Sequence, residues 1–271
     1  MKRATAALLQ ALLGRRIVRM LRAIKLWGRQ RLGLAFHHPV QVIRHVELHG
    51  DPDYGGWCVC PDGIDARSIV YDCGVGADIS FATSLVKRYG LRVWAFDPTP
   101  SSIRWFERQP CPAEVVFRPY GIADADGRAK LYLPDRPGYG SGTLIPDAVH
   151  AGSVVEVEVK RLVTIMAELG HRTVDILKLD IEGAEYAVLR DILDGGLAVE
   201  QILVEFHHAP TSRDFARARA AIEQLNLRRY RIFALRHGTD FSFIRTADDR
   251  SNGLARDATG LAAYTHPGTG G

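Results

Sequence analysis

The spacing of apolar and polar positions changes along this chain, and each change predicts an element. Near the start, Leu13, Ile17, Met20, Ile24 and Trp27 recur every third or fourth residue, the stripe of an amphipathic helix. Arg15, Arg19, Arg22 and Arg29 fall largely on the other side. From Arg67 onward strand-like and helix-like stretches alternate. "RSIVYD" reads as a strand, "CGVGADI" as a glycine turn, and "SFATSLVKRYG" as a helix ended by Gly90. "LRVWAFD" is a second strand, and "PTPSSIRWFERQ" opens a helix with Pro and Ser start signals. "AEVVFRPYGIA" reads as one third strand. A Gly- and Pro-dense stretch follows, with a short strand "AKLYL" inside it, and then the strictly alternating "VVEVEVKR". "LVTIMAELG" is a helix, "TVDILKLD" a strand, "GAEYAVLRDIL" a helix and "VEQILVEFH" a strand. "SRDFARARAAIEQLNL" is a helix, and "RRYRIFALR" and "FSFIRT" form a hairpin over "HGTD".

Repeated βαβ units predict an α/β fold with a mostly parallel sheet and helices on both faces. In such sheets ligands sit beyond the carboxyl ends of the strands, near the point where strand order reverses. The residues just after each strand are therefore the ones to search. The organisation read from the pattern is a basic amphipathic N-terminal helix over 1–40, a catalytic-size domain over 41–248, and a loose Gly-, Ala- and Thr-rich tail over 249–271.

Composition changes this picture at one point. The 271 residues carry a formal charge of +4, but residues 1–40 hold nine Lys or Arg and no acid. Taking those nine from 35 leaves 26 basic against 31 acidic residues, a net of −5 for the rest. The basic balance belongs to the N-terminal arm, and the body presents no nucleic-acid surface. Residues 1–35 are expected to meet the domain itself, a protein partner or an anionic membrane surface. No apolar run is long enough to span a bilayer, and four cysteines are too few for a disulfide framework. A cytoplasmic protein is expected, with peripheral membrane association through the arm as an option. Cys58 and Cys60 form C-x-C with no second paired cluster, which reads as a strand and not as a zinc site.

The chemistry gathers at strand ends. Asp72, Gly74 and Gly76 follow the first strand in "YDCGVGAD", where glycines let backbone N–H groups approach a ligand. Asp97 ends the second strand, 21 residues after Gly76, where a carboxylate can accept both hydroxyls of a ribose. A nicotinamide dinucleotide would want a third glycine, and that position is Ile79. Asp72 suits a cofactor with a cationic amino group and would repel a pyrophosphate. An NAD-dependent oxidoreductase stays the rival enzyme class.

"VYDCGVGADISFA", "VWAFDPTP", "GIADADGRAKLYL" and "ILKLDIEGAEYAVL", in that order, resemble the FkbM family of S-adenosylmethionine-dependent methyltransferases, from about Tyr54 to His208. "KLDIEGAE" is the most specific element, similar to the family's K-[IL]-D-[VI]-E-G-A-E. The glycine loop departs from the family, with Gly76 where Asn is common and Asp78 where Gly is common. The resemblance implies a Rossmann-like class I methyltransferase fold, a seven-stranded sheet ending in an antiparallel hairpin. It implies S-adenosyl-L-methionine as cofactor, with Asp72, Gly74 and Gly76 around the methionine half and Asp97 on the ribose. Gly121, Ile122 and Ala123 would flank the adenine. It implies O-methylation of a hydroxyl on a small molecule, sugar or glycan. A methyltransferase-like scaffold that has lost transfer and docks through its basic helix is the non-enzymatic alternative.

An alcohol acceptor needs a base for its proton. Asp180 ends the fourth strand, and His207 and His208 leave the fifth, so these three are the base candidates. Lys178, Glu182 and Glu205 are acceptor-site candidates, and Glu182 and Glu185, three apart, read as one face of a helix start. The Tyr54–Trp57 segment could cover the cofactor or cap the core, and the loop "LPDRPGYGSGTLIP" is expected to help form the acceptor site. A divalent metal on Asp180 and nearby acids is an alternative that no ligand spacing compels, so no metal ligands are assigned.

Overall fold

A computed structural model describes residues 38–135, 141–146, 152–207 and 212–247, together with Gly28. The predicted N-terminal helix, its membrane or partner role, the C-terminal tail and His208 lie outside the described residues.

Seven strands form the central sheet: β3 (Ile69–Cys73), β4 (Arg92–Phe96), β5 (Val115–Arg118), β9 (Val174–Leu179), β10 (Val199–Glu205), β11 (Tyr230–Arg236) and β12 (Asp240–Arg245). Their order is β11-β12-β10-β9-β3-β4-β5. The pairs from β10 to β5 are parallel, while β12 runs antiparallel to both β10 and β11. This is the Rossmann-like, mostly parallel sheet with a terminal hairpin that the pattern and the resemblance led us to expect. The order reverses between β3 and β9, so their carboxyl ends open the crevice.

Side chains alternate between two cores, as period two requires. Tyr71, Leu177 and Leu179 face a large core closed by α3 (Leu162–Leu169), α4 (Glu185–Asp194) and α5 (Ser212–Leu227). Val70, Val93, Ala95 and Ile176 face a second core closed by α1 (Ser80–Tyr89) and a two-stranded sheet, β1 (Glu47–His49) with β2 (Trp57–Val59). The helix α2 (Pro100–Phe106) starts with Pro at its first turn, and α1 ends at left-handed Gly90, both as predicted. The exposed edge of β11 is covered where Gln41 and Val42 donate backbone N–H groups to the Ile232 carbonyl, at 2.7 and 3.1 Å.

Two expectations change. "AEVVFRPYGIA" is not one strand. Pro119, without an N–H, interrupts it after β5, and the chain resumes as β6 (Gly121–Ile122) in a separate sheet with β7 (Gly127–Tyr132) and β8 (Val154–Lys160), ordered β6-β8-β7. Glu182 is not on a helix face. It sits ahead of α4 with φ 53°, left-handed, followed by Gly183 at φ 103°.

Candidate active site

The carboxyl ends of β3, β4, β9 and β10 open into one cavity of about 1020 Å³. It is floored by the glycine turn after β3. Gly74 has φ 85°, and a Cβ on it would lie 1.8 Å from the Asp180 carbonyl oxygen, so the β3 and β9 exits touch there through bare backbone. Gly76 has φ 61° and open space where a Cβ would stand.

Asp97 anchors that turn. Its carboxylate accepts the N–H of Gly76 at 2.7 Å and the N–H of Thr99 at 2.8 Å, and it is buried. Burial raises its pKa, opposed by those backbone donors. One carboxylate thus ties the glycine turn to the start of the next βα turn, at the place predicted for ribose binding. Gly121 and Ile122 line the same cavity, while Ala123 packs instead against Leu131, Val157 and Val159 in the small core.

Asp72 and Lys178 are paired residues in the parallel β3–β9 ladder, and both side chains are buried. Lys178 Nζ lies 3.0 Å from Asp72 Oδ1 and donates to the Gly74 carbonyl at 2.8 Å. It also lies 5.8 Å from the centre of the Trp57 ring. Burial alone would lower the lysine's pKa, but Asp72 and Asp180 reverse the sign and keep it charged. Lys178 is therefore a strut under the site, and the charge of Asp72 is answered before any ligand arrives.

Beyond them lies an acidic group around one histidine. His207 Nδ1 is 2.7 Å from Glu185 Oε1. Its Nε2 faces Glu182 Oε2 at 3.5 Å, Asp180 Oδ1 at 3.7 Å and Glu205 Oε1 at 4.0 Å. Glu185 is fully buried, and its Oε1 also accepts the N–H groups of Ile181 and Gly183, both at 3.1 Å. Burial would lower the pKa of His207, but the hydrogen bond its Nδ1 donates to Glu185 and the surrounding carboxylates hold it well above the ordinary value. A shift in that direction favours the protonated ring, which Glu185 holds in place. Asp180 is raised by burial, against the pull of Lys178 and His207. Glu205 is pushed up to about 8 by burial and by the charge of Asp180.

The Glu182 turn is clamped from outside. Thr143 Oγ1 donates to the Glu182 carbonyl at 2.5 Å, and Ile145 N–H donates back to Thr143 Oγ1 at 3.0 Å. Ser141, Gly142 and Leu144 line the cavity, as do Tyr54, Gly55 and Trp57. Arg236 holds the latter loop through the carbonyls of Gly56 and Pro52.

The structure thus brings Asp72, Gly74, Gly76, Asp97, Gly121, Ile122, Lys178, Asp180, Glu182, Glu205 and His207 to the wall of one cavity. Sequence reasoning missed the orienting role of Glu185 and the presence of Asp240, which faces Glu205 across the β10–β12 ladder. The polar start of "DFSFIR" directly after a turn was the available signal for Asp240.

No curated protein matches the sequence. Among solved structures the chain is similar to the methyltransferase FkbM from Methylobacillus flagellatus KT, at 14% identity and a TM-score of 0.41, covering 67% of this chain and 44% of that one. It is also similar to the METTL16 methyltransferase domain, at 10% identity and 0.38, covering 69% and 62%. A third likeness is to the Methanococcus jannaschii fibrillarin pre-rRNA processing protein, at 10% and 0.37, covering 78% and 87%. The chain spans less than half the length of the first of these. The sequence model of the methyltransferase FkbM domain matches residues 63–232, which contain the glycine turn, Asp97 and the whole acidic group. The chain therefore belongs to the FkbM family of S-adenosylmethionine-dependent methyltransferases.

Proposed function

We propose that this protein transfers the methyl group of S-adenosylmethionine to a hydroxyl of a small molecule, sugar or glycan. The observation that carries the reading is that the Asp97-anchored glycine turn and the acidic group around His207 open into the same cavity. At about 1020 Å³ that cavity matches the upper end of the usual range for ligand sites, room for a cofactor and part of an acceptor.

The residues fit the cofactor. Gly76 carries no side chain and has open space beside it, Asp97 offers a buried carboxylate next to it, and Gly121 and Ile122 line the same cavity. When bound, the cofactor supplies a methyl group on a positively charged sulfur. Transfer is an in-line displacement, so the protein's main task is to hold acceptor oxygen and methyl carbon in line. Asp180 takes the acceptor proton, because a carboxylate of raised pKa is a stronger base than an ordinary one. His207, protonated and fixed by Glu185, orients the carboxylates around it. Glu205 and Glu182 hydrogen-bond the acceptor. Cysteine and redox chemistry have no part in this scheme.

The experiment is transfer of radiolabelled methyl from S-adenosylmethionine to fractionated small-molecule and glycan extracts. Label is expected in an alkali-stable ether. Asp180→Asn is expected to slow its appearance by about 10²–10⁴-fold, the usual worth of a positioned base. Label that appears only in esters, amines or thioethers would contradict hydroxyl transfer.

A further inference from the structure

We propose that the carboxyl ends of β9 and β10 form a divalent-cation site, with Asp180, Glu205 and His207 as protein ligands and Glu182 beside them. The proposal rests on the methyltransferase reading only for its purpose, since the site is argued from its own geometry.

Each of the three residues offers one ligand atom, and these atoms lie within 4.8 Å of one another. His207 Nε2 stands 3.5–4.0 Å from three separate carboxylates and hydrogen-bonds none of them. Those separations are too long for hydrogen bonds. They match two ligands of one ion, which at ordinary metal–ligand lengths stand roughly 3–4 Å apart.

Glu185 supplies the independent observation. It lies outside the ligand set and is wholly buried, and its Oε1 holds His207 Nδ1 at 2.7 Å. Its other oxygen, Oε2, is buried with no hydrogen-bond partner. A buried carboxylate on one ring nitrogen, with the other nitrogen facing a group of oxygens, is how metal-binding histidines are oriented. Only Oε2 of Glu185 is without a hydrogen-bond partner among the described residues, while Oε1 is fully engaged in holding the ring.

Mixed imidazole and carboxylate donors suit Mn²⁺ or Zn²⁺ better than Ca²⁺. The ion takes the place of the proton on Nε2. In the cavity it would lower the pKa of an acceptor hydroxyl, so that with the ion bound proton loss to Asp180 would no longer depend on a raised carboxylate pKa.

The test is titration of purified, chelator-treated full-length protein with Mn²⁺ alone, read as loss of the free-ion electron paramagnetic resonance signal. One site per chain is expected. Asp180→Asn and Glu205→Gln, each shown by thermal unfolding to be folded, are expected to weaken it at least tenfold. No binding by the wild type, or unchanged binding by both variants, would overturn the proposal. Calorimetry with S-adenosylhomocysteine on the same samples separates the two readings. Mn²⁺ binding without cofactor binding refutes the methyltransferase scheme and leaves the metal site standing. Cofactor binding without Mn²⁺ binding does the reverse.

Discussion

Asp72 and Lys178 are partners in the ladder that joins β3 to β9, and their charges meet at 3.0 Å with both side chains buried. The pair sits at the strand-order reversal, directly under the glycine turn. Removing one member leaves a buried charge without a counter-charge, which in other proteins costs about 3–5 kcal/mol. Lys178→Met is expected to lose stability of that order in chemical denaturation. The double variant Asp72→Asn with Lys178→Met is expected to regain most of it. A double variant no better than the single one would show that the lysine acts through something other than Asp72.

The two glycines of the turn differ in what they touch, and their alanine variants should differ with them. Gly74→Ala drives a Cβ into the Asp180 carbonyl at 1.8 Å, a clash with backbone that cannot swing away. It is expected to abolish soluble folded protein or to shift the β3–β9 exits apart. Gly76→Ala meets open space and pays only for its left-handed backbone, about 1–2 kcal/mol. It should fold, with weakened cofactor binding. Circular dichroism melts of the two variants check the contrast.

Much of this architecture could be read from the sequence, and the reasons are local. β3, β4 and β9 show period two or a short apolar run, and each ends in a Gly, Pro or Asp that stops it. α5 was read with its observed bounds, Ser212–Leu227, because its pattern is continuous. β1 was missed because three residues carry no period. The break after β5 was missed because the apolar pattern runs on past Pro119 into a second sheet. In the site, positions at strand ends were legible: Asp97, Asp180, Glu205 and His207 all line the cavity. What they pair with was not. That Lys178 neutralises Asp72, or that Glu185 bends back to hold His207, depends on tertiary approach that spacing does not encode.

A pH dependence follows from β1. His49 is buried, with Nδ1 2.9 Å from Ser84 Oγ and Nε2 3.4 Å from Glu47 Oε2. Burial lowers its pKa, partly opposed by the charge of Glu47. The unfolded chain therefore takes up this proton more readily than the folded one. Stability contributed by the neutral ring is full above the ordinary value of 6.5 and falls as pH drops through 6.5 toward the lower folded value. The difference in unfolding free energy between wild type and His49→Gln should change across that window. A difference that stays constant between pH 7.5 and 5 would show that His49 is not held neutral.

Asp97 carries the central claim, because it ties the glycine turn to the wall where a cofactor ribose would lie. Calorimetry of S-adenosylhomocysteine with wild type and Asp97→Ala tests it most directly. One site per chain is expected in the wild type. Binding in the variant is expected to be about 10- to 100-fold weaker, the worth of losing hydrogen bonds to a charged group. No binding by the wild type, binding of NAD in its place, or equal affinity in the variant would contradict it.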